Sequence, residues 1–155
     1  MAEDSVVNAQ ATWIEGLQFV GQGGASGVAV VLDGAPEHGG RGSGIRPMEA
    51  LLLSVAGCTG MDVISILFKK RQRVTGLRLN LKGIRAEEHP KRYLRIEIEY
   101  VVRGWDVLPE AVARSIELSR TKYCSVMATL NCELVTTFRI EPEQAGGQEP
   151  KPLTS

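Results

Sequence analysis

Residues 51–68, LLLSVAGCTGMDVISILF, hold a single charged residue, Asp62. No other stretch constrains the fold as much. Pro47 suits a first helical position, where its missing N–H is no loss. Glu49 falls in the first turn, and Lys69, Lys70, Arg71 and Arg73 crowd the far end. Both placements suit the helix dipole. The pattern predicts one helix from Pro47 to about Arg71, roughly 36 Å long at 1.5 Å per residue. Its apolar residues run nearly all round, so it is buried on most sides. One small domain struggles to cover such a helix, and a second copy of the chain is the natural cover.

Around this helix the sequence reads as strands. Ala11–Leu17, Phe19–Val20 and Val28–Leu32 are β-like, with glycines between them. The Gly-rich loop 33–46, DGAPEHGGRGSGIR, lacks the Gly and Lys-Ser/Thr spacing of a phosphate loop. Val74–Ala86 and Arg92–Arg103 form a hairpin pair. In the second strand Leu94, Ile96, Ile98, Tyr100 and Val102 share a dry face, opposite Arg95, Glu97, Glu99 and Arg103. Helices come next at Pro109–Arg120 and Ser125–Leu130, with a break near Tyr123–Cys124, and Cys132–Ile140 is the last strand. The order βββα-ββααβ predicts an α+β fold with antiparallel sheets. One domain is expected over 11–142, flanked by disordered segments at 1–10 and 143–155.

Composition narrows the function. Lys+Arg and Asp+Glu both total 18, so no net charge favours nucleic acid or an anionic membrane. No run of about 18 consecutive apolar residues predicts a membrane span. The N-terminus MAEDSVVNAQ lacks a signal-peptide layout, and a cytoplasmic location is expected. Three widely spaced cysteines do not form a secreted disulfide framework. With no Cys-x-x-Cys pair and no His-x-x-x-His, a dedicated zinc site is not expected, and no metal or cofactor is assigned. His38 and His89 fall in turns and read as solvated.

Cys58 lies in mid-helix between Gly57 and Gly60. Two glycines inside a helix cost about 1 kcal/mol each against alanine, and close approach of another backbone or a ligand is the usual compensation. Cys124 falls where one helix stops and another starts. There, free amides with Arg120 and Lys122 would lower a thiol pKa, while a plain capping role is the alternative. Cys132 begins a strand and reads as packing. Asp62 is one turn beyond Cys58 on the same face. A carboxylate there would raise a thiol pKa if unpaired, or would pair with a base or end a hydrogen-bond network.

The stretch Arg46-Pro47-Met48-Glu49-Ala50-Leu51-Leu52-Leu53-Ser54-Val55-Ala56-Gly57-Cys58-Thr59 resembles the central-helix motif of the OsmC/Ohr family, and Lys122-Tyr123-Cys124-Ser125-Val126 resembles its second motif. The resemblance covers roughly residues 12–140. It implies an intertwined homodimer with long central helices between shared sheets. It also implies a peroxidatic Cys58, resolved by Cys124 and reset by a thiol reductant. The implied substrates are organic hydroperoxides.

Two helper residues of the family's active members stand elsewhere in this chain. They carry an arginine in the N-terminal strands; here no arginine precedes Arg41, which leaves Arg41 and Arg46 as candidates. They place a glutamate directly after the proline; here Met48 stands there and Glu49 comes one position later. Glu49 and Cys58 lie about 180° apart on a straight helix and roughly 13 Å along it, so Glu49 would serve Cys58 only from the partner chain. The alternative function is a non-enzymatic member that binds a small apolar or thiol-reactive ligand at the dimer interface.

Overall fold

A computed structural model describes residues 6–143. The chain divides into two compact units, residues 1–51 and 52–155.

The first unit is an antiparallel meander of β1 (Ala9–Glu15), β2 (Gln18–Gly23) and β3 (Ala29–Leu32), in the order β1-β2-β3. β1 takes in Ala9 and Gln10, the last two residues of the segment expected to be disordered. Trp13, Ile14, Phe19, Val30 and Val31 stay exposed on this sheet. After β3 the Gly-rich loop is organised by one residue that the sequence pattern does not single out. The Asp33 side chain, 2% exposed, accepts from the Gly34, Arg41 and Ser43 amides at 2.7, 3.1 and 3.0 Å and from the Ser43 hydroxyl at 2.9 Å. These bonds, the Ser43 amide foremost, hold its carboxyl below the ordinary 3.8. The folded-back loop presses Gly40 onto the Gly34 carbonyl, where a Cβ would collide.

Helix α1 (Pro47–Lys69) begins in the first unit and runs on through the second. It closes as the sequence suggests, within two residues of the expected end. Arg71 turns left-handed at φ 56°, its amide donates to Phe68 O at 2.8 Å, and the Gln72 amide donates to Leu67 O at 3.0 Å. This pair of bonds is a Schellman cap, with arginine where glycine is usual. Val55, Thr59, Val63 and Leu67 recur every fourth residue and are all 0% exposed. The opposite face is open: Leu53 is 63% and Met61 72% exposed. By length and composition α1 could cross a membrane, although it lacks the unbroken apolar run sought in the sequence. Its buried row packs within the second unit, where Thr59 and Asp62 are hydrogen-bonded.

The second unit's sheet has the order β4-β5-β6, from β4 (Arg73–Arg85), β5 (Tyr93–Trp105) and β6 (Glu133–Pro142). In β5, Ile96, Ile98, Tyr100 and Val102 are buried as the alternation requires, whereas Leu94 is 43% exposed. Fully burying each of the aliphatic side chains contributes about 1.5–3 kcal/mol. The charged face carries the pairs Arg95–Glu133, Lys82–Glu97 and Arg139–Glu99. The expectation of purely antiparallel sheets is corrected here. β4 and β5 are antiparallel, but β6 runs parallel to β5, with Ile96 opposite Leu134 and Tyr100 opposite Phe138. A parallel neighbour needs a long crossover, and α2 (Pro109–Leu118) with α3 (Ser125–Thr129) supplies it. Of the expected disordered tail only Glu143 lies among the described residues, its amide bonded to Gly104 O at 3.0 Å.

Candidate functional site

Between α2 and α3 the backbone widens into a π-helical turn, Ser119–Tyr123, and the Cys124 amide donates back to Ser119 O at 2.8 Å. Such turns are rare and favour functional positions. The turn ends at Cys124, which becomes the N-cap of α3. Its Sγ accepts from the Met127 amide at 3.5 Å. Cys124 is 2% exposed.

This placement brings Cys124 to the buried side of α1. The sulfurs of Cys58 and Cys124 and a carboxylate oxygen of Asp62 all lie within 4.8 Å of one another. Cys58 and Asp62 are half-buried, four residues apart on one helix face. All three cysteines are free thiols.

Beside the thiols runs a chain of buried hydroxyls. Tyr100 OH and Thr59 Oγ1 are 2.7 Å apart, Thr59 Oγ1 and Ser119 Oγ 2.8 Å, and Ser119 Oγ donates to Asp62 Oδ2 at 2.8 Å. Tyr100, Thr59 and Ser119 are each 0% exposed. An ionised carboxylate only accepts, and each hydroxyl has one proton. The direction is therefore fixed: Tyr100 donates to Thr59, Thr59 to Ser119, Ser119 to Asp62. Burial pushes the Tyr100 phenol up to about 12. No buried side-chain nitrogen or oxygen among the described residues lacks a partner.

The electrostatics of Cys124 reverse the expectation from its helix-start position. Its pKa rises to about 11, first through burial, then through a hydrogen bond with Cys58 that favours the neutral thiol. The Met127 amide lowers it and is outweighed, while the charges of Cys58 and Asp62 push it further up. The basic residues expected to depress it face elsewhere: Arg120 is exposed, and the Lys122 ammonium sits 5.3 Å from the Tyr123 ring centroid. Asp62 raises the Cys124 thiol and ends a hydrogen-bond network, as one of its expected roles required.

The other candidates are placed in pairs within residues 1–51. Arg41 Nη1 is 2.6 Å from Glu15 Oε1. Glu49 accepts from the Arg46 amide at 3.2 Å, and its carboxylate is 3.9 Å from Arg46 Nη1, so it serves the start of α1. Cys132 is half-buried, with its thiol pKa raised by burial. Sequence reasoning missed Thr59, Tyr100 and Ser119. The available signal was positional: Thr59 adjoins Cys58, and Ser119 sits five residues before Cys124. On the far side of α1, Gly57, Gly60, Met61, Ile64 and Phe68 line an apolar groove of about 530 Å³ together with Leu79 of β4.

An α+β fold of this order, with a long helix and a mixed three-stranded sheet, is that of the OsmC/Ohr-like class of proteins. The chain belongs to the OsmC-like protein family, whose model matches residues 40–139. Protein YhfA of Escherichia coli K12 is 40% identical over 138 residues, covering 87% of this chain and 97% of that protein. A hypothetical protein from Aquifex aeolicus VF5 has a solved structure that superposes with a TM-score of 0.78 at 33% identity, covering 90% of this chain and 98% of its own. An organic hydroperoxide resistance protein from Elizabethkingia anophelis shares the fold at a TM-score of 0.65 and 14% identity, covering 88% and 96%.

Proposed function

We propose that this chain reduces organic hydroperoxides with Cys58 and Cys124, as a cytoplasmic homodimer that draws its electrons from a thiol reductant. The observation that carries the reading is the convergence of the two sulfurs to within 4.8 Å. The Cys58 thiolate attacks the terminal peroxide oxygen. The O–O bond breaks, the alcohol leaves with a proton, and Cys58 becomes a sulfenic acid. The Cys124 thiol then displaces water as the S–S bond forms, which requires the sulfurs to close to about 2 Å. A dithiol reductant returns both thiols by exchange. Burial keeps Cys124 a neutral thiol until that second step.

The homodimer is supported by apolar surface that one copy leaves bare: Leu53 and Met61 on α1, and Trp13, Phe19 and Val30 on the first sheet. Exposure on this scale marks an interaction face.

A second reading has its own support. The leading influences on Cys124 include no cation, and the groove along Met61, Ile64 and Phe68 is apolar. Both suit a non-enzymatic member that holds a small apolar or thiol-reactive ligand at the interface between copies.

The test is peroxide consumption by reduced protein with a dithiol, comparing cumene hydroperoxide with hydrogen peroxide. Turnover that favours the organic peroxide and disappears in Cys58→Ser supports the peroxidase. A rate no higher than the free dithiol alone rejects it in favour of the ligand-binding reading.

A further inference from the structure

We propose that Cys58, Asp62 and Cys124 form a binding site for one soft divalent cation of the zinc type, open when the cysteines are reduced and abolished when they are joined. Three ligand atoms of the kinds that zinc prefers, two thiol sulfurs and a carboxylate oxygen, already lie within 4.8 Å of one another. Tetrahedral zinc with Zn–S near 2.3 Å and Zn–O near 2.0–2.2 Å holds such atoms roughly 3.5–3.8 Å apart. Closing the set needs a movement of at most about 1 Å. Two of the ligands stand one turn apart on α1, and the third comes from the cap of α3, so the backbone sets all three.

The surroundings suit a cation. Ser119 donates to one oxygen of Asp62 at 2.8 Å, and the Met127 amide to Cys124 at 3.5 Å. Bonds of this kind orient metal ligands from behind. Among the described residues no lysine or arginine pairs with Asp62. Two thiols able to ionise and a carboxylate therefore converge without a countercharge, and a divalent ion supplies it while displacing the thiol protons. Three protein ligands leave a fourth position for water or an exogenous thiol. The sequence concealed the site because its ligands are residues 58, 62 and 124, with no short Cys-x-x-Cys spacing. Joining the sulfurs removes two of the three ligands, so the same oxidation that would complete a peroxidase cycle would expel the ion.

The metal-binding claim does not depend on catalysis, and the experiment reads binding alone. Reduced, metal-free full-length protein is titrated with cobalt(II) and then with zinc. The expected result is one equivalent per chain, with a thiolate-to-cobalt charge-transfer absorption and the visible bands of a tetrahedral ion, displaced by zinc. Cys58→Ser and Cys124→Ser should each cut the charge-transfer intensity by about half and weaken binding by more than the roughly 10- to 100-fold that losing an outer-shell partner costs, and Asp62→Asn should weaken binding while leaving the charge-transfer bands in place. Cys132→Ser should leave binding unchanged, and protein carrying the Cys58–Cys124 disulfide should bind none. Far-ultraviolet circular dichroism verifies the fold of each variant, and Asp62→Asn, which keeps both thiols, serves if a cysteine variant misfolds. A cobalt complex without thiolate bands, binding retained in Cys58→Ser or in the disulfide form, or loss confined to Cys132→Ser would each overturn the proposal.

Discussion

Replacing Ser119 with alanine removes the middle of the hydroxyl chain. Ser119 donates to the Asp62 carboxylate and accepts from Thr59, each at 2.8 Å. A hydrogen bond to a charged group contributes about 1.5–3 kcal/mol and a neutral one about 1 kcal/mol. The Thr59 hydroxyl would also lose its acceptor at a position that is 0% exposed, where water cannot replace it. The expected loss is about 3 kcal/mol, a large part of the roughly 5–15 kcal/mol that holds a domain folded. With a urea slope of about 2 kcal/mol per molar, the unfolding midpoint should fall by about 1.5 M at fixed protein concentration, with the slope unchanged. Combining Ser119→Ala with Asp62→Asn tests the cause. If the cost comes from the severed chain, the double variant should lose less than the sum of the singles, by about 1 kcal/mol. A midpoint shift below about 0.3 M, or strict additivity, would refute the directed chain ending on Asp62.

The same geometry supports further expectations. Because the Cys124 thiol titrates near 11, disulfide formation after a single peroxide pulse should speed up about tenfold per pH unit from pH 7 to 9 if Cys124 attacks as thiolate, as followed by stopped-flow fluorescence; a flat profile contradicts that assignment. Tyr100 should ionise only near 12, so alkaline absorbance titration should lose a late component in Tyr100→Phe. Asp33 has a lowered folded pKa, so its stabilisation is present above the ordinary value of 3.8 and disappears as pH falls through the folded value beneath it. Melting curves of wild type and Asp33→Asn should then differ at pH 6 and converge in strong acid, and a gap that persists there would contradict the assignment. A Cβ at Gly57 meets nothing within 4 Å in one chain, so in an isolated copy Gly57→Ala would stabilise by about 1 kcal/mol. A partner seated on α1 makes it disruptive instead. Weaker self-association in sedimentation is the expected outcome, and unchanged association with raised stability would count against the homodimer.

Local pattern made part of the fold legible in the sequence. Helix α1 announced itself through Pro47, its apolar run and its basic end, and β5 through the alternation of Ile96, Ile98, Tyr100 and Val102. The two cysteines were found through motif spacing, and Asp62 through helical periodicity. Strand β6 was placed within two residues, but its direction was not, because strand composition carries no sign of parallel or antiparallel pairing. Thr59, Tyr100 and Ser119 stayed hidden for a similar reason: a buried hydroxyl is satisfied by a partner 41 or 60 residues away. The raised Cys124 pKa was missed because the sequence displays nearby lysine and arginine but not which way they point, and burial outweighed the helix-end amide. Asp33 looked like an ordinary loop residue until the loop was seen folded over it.

The π turn at Ser119–Tyr123 amounts to one surplus residue spliced into an otherwise ordinary helix. Each residue advances an α-helix by about 100°, so the surplus works as a phase shifter between α2 and everything after it. Without it the crossover would still be helical and β6 could still dock beside β5. The sulfur of Cys124 would instead be swung about a quarter-turn from Cys58. Relatives one residue shorter across this segment would thus keep the architecture while losing the thiol encounter, so the length of the interval between Ser119 and Cys124 is itself a coded instruction, as informative as the identity of either residue.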